Sequence, residues 1–365
     1  MKILVAGSRG FVGRNLCVRL RSMRDGNVEN SNISVEEIFE YDVDTPETDL
    51  DRFCSEADFV FNLAGAMRPK NKDEFMRNNF GFASDLLNCL ALHGNKCPVM
   101  IASSIQAEQN NLYGESKKAG EELMFKYARE TGAKVLVYRF TNLFGKWGRP
   151  NYNSVISTFC YNIANGLPIT INDAEVVLPL VHIDDVVDEL VSALEGNEHM
   201  MESFCYVPVV HQVRLGNIAE MLYSFKDALA RGDIPVLRDS FTRKLFSTYV
   251  SYLPEYEIVA KLNHKDGNSE LRIGQSCIEA LVVEPNESYG PYWHDTSFER
   301  IVVAKGEGLL ILSIMDNSLS GNDRMRKELS IDACSFPIAN IPPGYVFELK
   351  NKSLLSELVA IRLTV

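Results

Sequence analysis

The sequence predicts a doubly wound parallel α/β domain followed by a separate all-β domain. Three observations carry this. From residue 2 to about residue 138, short apolar runs rich in β-formers alternate with stretches of helical spacing. That alternation ends near Leu245. Short alternating strands separated by glycine, proline and asparagine turns follow it. Strands are expected at residues 2–6, 38–41, 59–63, 99–102 and 135–138, with helices at 15–21, 81–92 and 117–130 among them. Buried strands joined through helices give a parallel sheet covered on both faces. Further strands are expected at 279–283, 301–303 and 309–312, and the domains divide as 1–248 and 249–365. The linker around Tyr249, Tyr252 and Pro254 is aromatic, so it is expected to pack against the protein.

The chain has 365 residues, 46% of them apolar and 24% charged, which is more than one core usually serves. A net charge of -12 repels a phosphate backbone, and there is no basic stripe interleaved with aromatics, so nucleic acid is excluded as an expected partner. No run reaches the roughly 18 apolar residues of a membrane span, and the N-terminus enters a strand directly, so a cytoplasmic location without membrane insertion is expected. The eight cysteines form no C-x-x-C pair, and neither disulfides nor a thiolate metal site are expected.

Gly7-Ser8-Arg9-Gly10-Phe11-Val12-Gly13 places glycines at G-x-x-G-x-x-G spacing between the first strand and the first helix. A tight turn there needs glycine, and a pyrophosphate meets helix N-terminal amides, so this is a dinucleotide loop. Asp42 follows the second strand, where a carboxylate accepts ribose hydroxyls and repels a 2'-phosphate, while Arg9 stands where a cation would meet that phosphate. NAD(H) and NADP(H) both stay open, and Asp42 is equally read as a solvated turn residue.

Tyr113 and Lys117 lie four residues apart at the start of a helix and so share one face. A lysine beside a phenol lowers its pKa, and the pair can then exchange a proton with a carbinol or ketone oxygen. Ser103 and Ser104 end the preceding strand, and Ser104, nearer the loop to Tyr113, is the expected hydrogen-bond donor to that oxygen.

The segments at 7–13 (GSRGFVG), 62–65 (NLAG), 103–107 (SSIQA), 113–117 (YGESK), 139–145 (RFTNLFG) and 182–186 (HIDDV) resemble the extended short-chain dehydrogenases acting on nucleotide-sugars. The longer stretches at 142–156 and 246–254 are similar to the capsule and O-antigen enzymes of the CapF/WbjC type. The resemblance implies a Rossmann-type N-terminal domain that reduces a 4-keto-hexose and a C-terminal cupin that holds zinc and epimerises C3, toward UDP-N-acetyl-L-fucosamine. It implies catalytic Ser104, Tyr113 and Lys117. A cofactor would lie against residues 7–13, Asp42, Leu63, Ala64, Gly65, Tyr113 and Lys117, and the sugar diphosphate against Asn142 and Arg149. Where the family has a basic pair, this chain has Asp42 and Val43, which puts strict NADP preference in doubt. His182 is read as a packing residue, and Asp184 and Asp185 as helix-start residues.

The segment 290–299 resembles the first cupin motif and 342–347 the second, yet Tyr292 and Phe347 stand where histidine ligands belong. Only His294 and Glu299 remain, too few for a tight zinc site, so no metal is expected. The reading is therefore an NAD(P)H-dependent reductase of a UDP-linked 4-keto-6-deoxy-hexosamine that has lost C3 epimerisation, acting as a homodimer or higher homo-oligomer. A redox-neutral epimerase or dehydratase with bound NAD is one alternative; a dehydratase needs an extra acid-base pair near the end of the Ser104 strand, where Ile105 and Gln106 offer no carboxylate, although Glu108 is close. A non-catalytic scaffold or sensor is another.

Overall fold

The computed structural model describes residues 1–26, 33–65, 75–152, 154–231, 233, 235–254, 259–260, 277–293, 297–314 and 326–364. These fall into two compact units, Met1–Leu143 with Pro179–His211 and Phe144–Leu178 with Gln212–Val365. The chain passes between them within β6 (Asn142–Phe144), β7 (Val177–His182) and β10 (His211–Arg214). By compactness, then, residues 144–178 and 212–248 group with the β-rich part of the chain.

The first unit is built on β1 (Lys2–Ala6), β2 (Glu37–Tyr41), β3 (Phe59–Asn62), β4 (Val99–Ser104) and β5 (Val135–Phe140), extended by β8 (Met200–Met201) and β9 (Phe204–Cys205). The strand order is β2-β1-β3-β4-β5-β9-β8, parallel except for the β8–β9 pair. β1 is central, and Ile3, Leu4, Val5 and Ala6 are all fully buried. Their faces alternate. Ile3 and Val5 join the core of α1 (Phe11–Arg24), with Leu16 and Leu20, and of α6 (Ile183–Leu194), with Val187. Leu4 joins Phe53 of α2 (Glu47–Glu56), Leu86 of α3 (Phe82–Leu92) and Met124 of α4 (Leu112–Thr131) on the other face. Each such side chain contributes about 1.5–3 kcal/mol by leaving water.

This is the expected doubly wound sheet with its expected strands. The helix predicted at 81–92 differs at its start, because a π-helical turn, Met76–Gly81, precedes α3. The strand order reverses direction between β1 and β3, and open parallel sheets bind ligands at that point, beyond the strands' carboxyl ends.

The second unit holds α5 (Val155–Ala164), α7 (Leu215–Ala230), α8 (Ser240–Val250) and two antiparallel sheets. One sheet is formed by β11 (Val259–Ala260), β12 (Cys277–Val283), β14 (Glu299–Lys305), β17 (Ile338–Ile341) and β19 (Leu358–Thr364), in the order β11-β17-β14-β19-β12. The other is formed by β13 (Ser288–Trp293), β15 (Glu307–Ile314), β16 (Arg326–Asp332) and β18 (Tyr345–Asn351), in the order β13-β18-β15-β16. Inward residues of both sheets, among them Leu281, Ile301, Leu310, Phe347 and Ala360, make one core, as two packed sheets require. The aromatic linker packs as expected: Tyr249 is fully buried, and the Tyr252 hydroxyl donates to the Gly148 carbonyl.

Cys17, Cys54, Cys89, Cys97, Cys160, Cys205 and Cys334 carry free thiols. Burial pushes Cys97 up to about 12 and Cys205 up to about 11, so they behave as small apolar side chains. No described helix is long and apolar enough to cross a membrane.

Candidate active site

Gly7 leaves β1 with φ +80°, a conformation that favours glycine, and its amide donates to the Tyr41 carbonyl at 2.8 Å. A Cβ there would lie 2.7 Å from the Ala64 amide nitrogen. Gly10 caps α1 and donates to the Gly7 carbonyl at 3.0 Å. At Gly13 a Cβ would lie only 2.1 Å from the Gly7 carbonyl oxygen. The turn is thus pressed into the first turn of α1, carrying Ser8, Arg9, Phe11 and Val12 past the ends of β1 and β3. The helix N-terminus there has the amide dipoles an anion needs.

Across the switch point, Leu63, Ala64 and Gly65 follow β3. Asn62, at the end of β3 and buried, has an Oδ1 with no partner among the described residues. Close glycine packing, a helix N-terminus and an open buried acceptor fit a dinucleotide.

Both Arg9 and Asp42 have local partners. Arg9 pairs in bidentate fashion with Asp44, 2.7 Å from each carboxylate oxygen, and is not an open phosphate ligand. Asp44 went unnoticed in the sequence because nothing in the spacing ties it to Arg9. Asp42 accepts the Arg9 amide at 2.9 Å and the Val43 amide at 2.8 Å, so it also acts as the turn residue that the sequence allowed.

Asn111 caps α4 by accepting the Gly114 amide at 2.8 Å. At Gly114 a Cβ would lie 2.2 Å from the Gln106 carbonyl oxygen, so glycine lets the first turn of α4 close onto the loop after β4. This brings Tyr113 near Ser104, whose hydroxyl acts to lower the phenol's pKa. The Lys117 ammonium lies 5.9 Å from the Tyr113 ring centroid and donates to the Ala102 carbonyl at 2.8 Å. An ideal Cβ on Gly65 would stand 3.2 Å from the lysine Nζ. Ser104, Tyr113, Lys117 and the cofactor loop therefore form one continuous cluster.

The electrostatics differ from expectation in one respect. Burial raises the Tyr113 phenol above its ordinary value, against a smaller lowering by the Ser104 hydrogen bond. In the chain alone the lysine does not make this phenol acidic. It is a neutral proton donor at pH 7. Burial brings Lys117 itself down to about 8, opposed by the charge of Glu121.

Sequence reasoning missed the groups behind the triad. Buried Glu121 accepts Ser103 at 2.6 Å and two Arg139 nitrogens at 2.8 and 2.7 Å. Arg139 also holds Glu108 at 2.6 Å, which occupies the one carboxylate considered for a dehydratase. Asn79, from the π-helical turn, donates to Ser116 at 2.9 Å, and Ser116 donates to the Tyr113 carbonyl at 2.8 Å. Only Lys117 to Glu121, one helical turn apart, was readable from spacing.

Asn142 belongs to the first unit and donates to the Pro179 carbonyl at 3.2 Å; Arg149 belongs to the second, 5.0 Å from the Tyr152 ring centroid. Buried His182 is a packing and capping residue: its Nδ1 accepts the Asp184 amide at 3.4 Å, so the histidine is the cap rather than either aspartate.

The zinc implied for the barrel does not fit the described residues. Tyr292 and Phe347 face each other across β13 and β18, His294 lies outside the described residues, and Glu299 is buried against Arg362, 2.6 Å from its Nη2. Phenylalanine has no lone pair, and this carboxylate already has its cation. On the first unit's surface, Asp51, Cys89 and His93 bring their donor atoms within 4.8 Å of one another. There the imidazole pairs with Asp51 at 2.8 Å, and burial raises the thiol, away from the thiolate a metal takes.

Comparison with known proteins agrees with this fold. The chain is 34% identical over 312 residues to UDP-2-acetamido-2,6-beta-L-arabino-hexul-4-ose reductase of Pseudomonas aeruginosa, covering 84% of this chain and 81% of that one. The crystal structure of the capsular polysaccharide assembling protein CapF from Staphylococcus aureus matches all of this chain and 96% of its own, at 35% identity and TM-score 0.66. UDP-glucuronic acid 4-epimerase from Bacillus cereus, solved with NAD, shares the fold over 62% of this chain at 21% identity and TM-score 0.51. Residues 3–203 match the model of the NAD dependent epimerase/dehydratase family, and the chain belongs to this family.

Proposed function

We propose that this chain reduces the C4 ketone of a UDP-linked 4-keto-6-deoxy-hexosamine, toward a UDP-N-acetyl-fucosamine-type precursor of capsule or O-antigen polysaccharide. The observation that carries the reading is the half-buried, protonated phenol of Tyr113, set near Ser104 with the Lys117 ammonium 5.9 Å from its ring centroid. A reductase needs a proton donor at that point. The Pseudomonas relative, named for reduction of a hexul-4-ose, supports the same class.

When bound, the reduced nicotinamide supplies hydride to C4. Tyr113 gives its proton to the developing oxyanion, which completes the carbinol, and Ser104 donates a hydrogen bond to the same oxygen. Lys117 places a positive charge beside the phenolate left behind. Asn142 holds the sugar diphosphate away from the reacting centre. Reduction uses no metal, and C3 epimerisation is absent. Residues 1–248 form the reductase and 249–365 the barrel of a cytoplasmic homodimer or higher homo-oligomer.

Deuteride transfer tests this. With nicotinamide deuterated at C4, a reductase leaves deuterium at C4 of the product sugar and hydrogen unexchanged at C3. A product epimerised at C3, or unlabelled at C4, contradicts the proposal.

Two further outcomes follow. The free-enzyme profile of kcat/KM against pH should fall as pH rises through about 8, where Lys117 loses its proton and the charge beside the phenolate goes. A profile flat through that range would remove the lysine's charge from the account. Asp44→Ala releases Arg9 for a 2'-phosphate, so the preference for NADPH over NADH should rise about tenfold, the size of one charge-assisted hydrogen bond. Titration of both cofactors checks this; an unchanged ratio would mean that Arg9 does not reach the ribose.

A further inference from the structure

The end of the barrel where a cupin gathers metal ligands is organised here around one guanidinium. Arg362 stands on β19, directly across from Glu279 on β12 and from Ile301 on β14. Glu299 lies two residues from Ile301, on the same face of β14 and diagonal to the arginine. The contact is bidentate: Nε donates to Glu299 Oε2 at 3.1 Å and Nη2 to Oε1 at 2.6 Å. Nη1 donates to the Tyr289 hydroxyl at 3.1 Å and to Glu279 Oε2 at 3.2 Å, and the Tyr289 hydroxyl donates to the same Oε2 at 3.0 Å.

Both residues that replaced histidines take part. The guanidinium carbon lies 5.3 Å from the Tyr292 ring centroid and 5.5 Å from that of Phe347. Glu299 is 1% exposed and Arg362 9%, so both charges are largely out of water.

A buried carboxylate is stable only with a cation, and a metal and a guanidinium satisfy that requirement differently. A metal collects lone pairs from imidazoles. A guanidinium donates hydrogens in its plane and presents its faces to π-systems. Histidines suit the first and aromatic rings suit the second, so the aromatic residues at both expected histidine positions fit a site centred on a guanidinium.

We propose that Arg362 is the barrel's built-in cation, standing in for a metal ion: it neutralises Glu299, and the neighbouring rings of Tyr292 and Phe347 pack against it. This inference does not depend on the reductase reading. It also assigns Glu299 a role, since a carboxylate bound twice by a guanidinium is neither a metal ligand nor an available base.

The test measures stability and metal content, not turnover. The full-length protein, exchanged into chelator, is analysed for zinc and melted beside untreated protein; no bound zinc and no change in Tm are expected. Arg362→Ala should lower the Tm of the transition reported by barrel Trp293 by roughly 10 °C, because it strands a buried anion. Guanidinium ion at sub-denaturing concentration should restore part of that loss, and equal urea, its neutral isostere, or equal sodium chloride should not. If Arg362→Ala does not fold, the double substitution Arg362→Met with Glu299→Gln, which removes both charges, should fold and melt above Glu299-intact Arg362→Met. Stoichiometric zinc, a Tm that falls on chelation, equal rescue by urea, or a double variant no more stable than Arg362→Met would each overturn the proposal.

Discussion

Replacing Tyr113 with phenylalanine is expected to lower kcat about a hundred- to ten-thousandfold while leaving cofactor affinity nearly unchanged. The phenol is the proposed proton donor, and with its pKa raised above the ordinary value it is protonated at neutral pH. Its removal leaves the ring, its edge contact with Phe75 at 6.0 Å and the backbone of α4 in place, so the loss falls on the chemical step. Single-turnover kinetics with saturating cofactor measure this. A phenylalanine variant within a few-fold of the parent would show that another group, or water, delivers the proton. Ser104→Ala, which removes only a hydrogen bond to the same oxygen, should cost less.

The second large effect is at Gly13. An alanine Cβ would lie 2.1 Å from the Gly7 carbonyl oxygen and 2.9 Å from the Ser8 Cα, and both are backbone atoms that cannot turn aside. The loop must move off the helix N-terminus. Overpacking of this kind costs about 1–3 kcal/mol, so nicotinamide binding should weaken roughly ten- to a hundredfold. Gly10→Ala gives an internal comparison, since its Cβ meets the same oxygen at 3.1 Å and needs only a small adjustment. Fluorescence titration should rank the variants in that order. Equal affinities would mean that the loop does not hold the pyrophosphate.

What the sequence made legible was local. Gly7, Gly10 and Gly13 announce their turn because glycine is required where backbone meets backbone, and Tyr113 with Lys117 announce a shared helix face through their spacing. Strand positions were legible because β1 is apolar at every buried position, as a central parallel strand must be. What stayed hidden depends on contacts between distant residues. Arg9 is neutralised by Asp44, 35 residues away, and Glu299 by Arg362, 63 residues away. No periodicity links such pairs. The direction of the Tyr113 shift was hidden for the same reason: spacing gives the lysine, whereas only the fold gives the burial that raises the phenol. In the barrel, sequence showed which ligands were missing, but the arginine that takes their place became visible only through the pairing of β12, β14 and β19.

The central claim is that the Ser104-Tyr113-Lys117 cluster reduces a nucleotide-linked ketone and consumes its cofactor. Its most direct measurement is absorbance at the reduced-nicotinamide band as chelator-treated protein meets a UDP-linked 4-keto-6-deoxy-hexosamine with NADH or NADPH. Oxidation of one cofactor per sugar is expected, unaffected by chelator and lost in Tyr113→Phe. Turnover of the sugar without net cofactor oxidation, or no reaction with either cofactor, would contradict it.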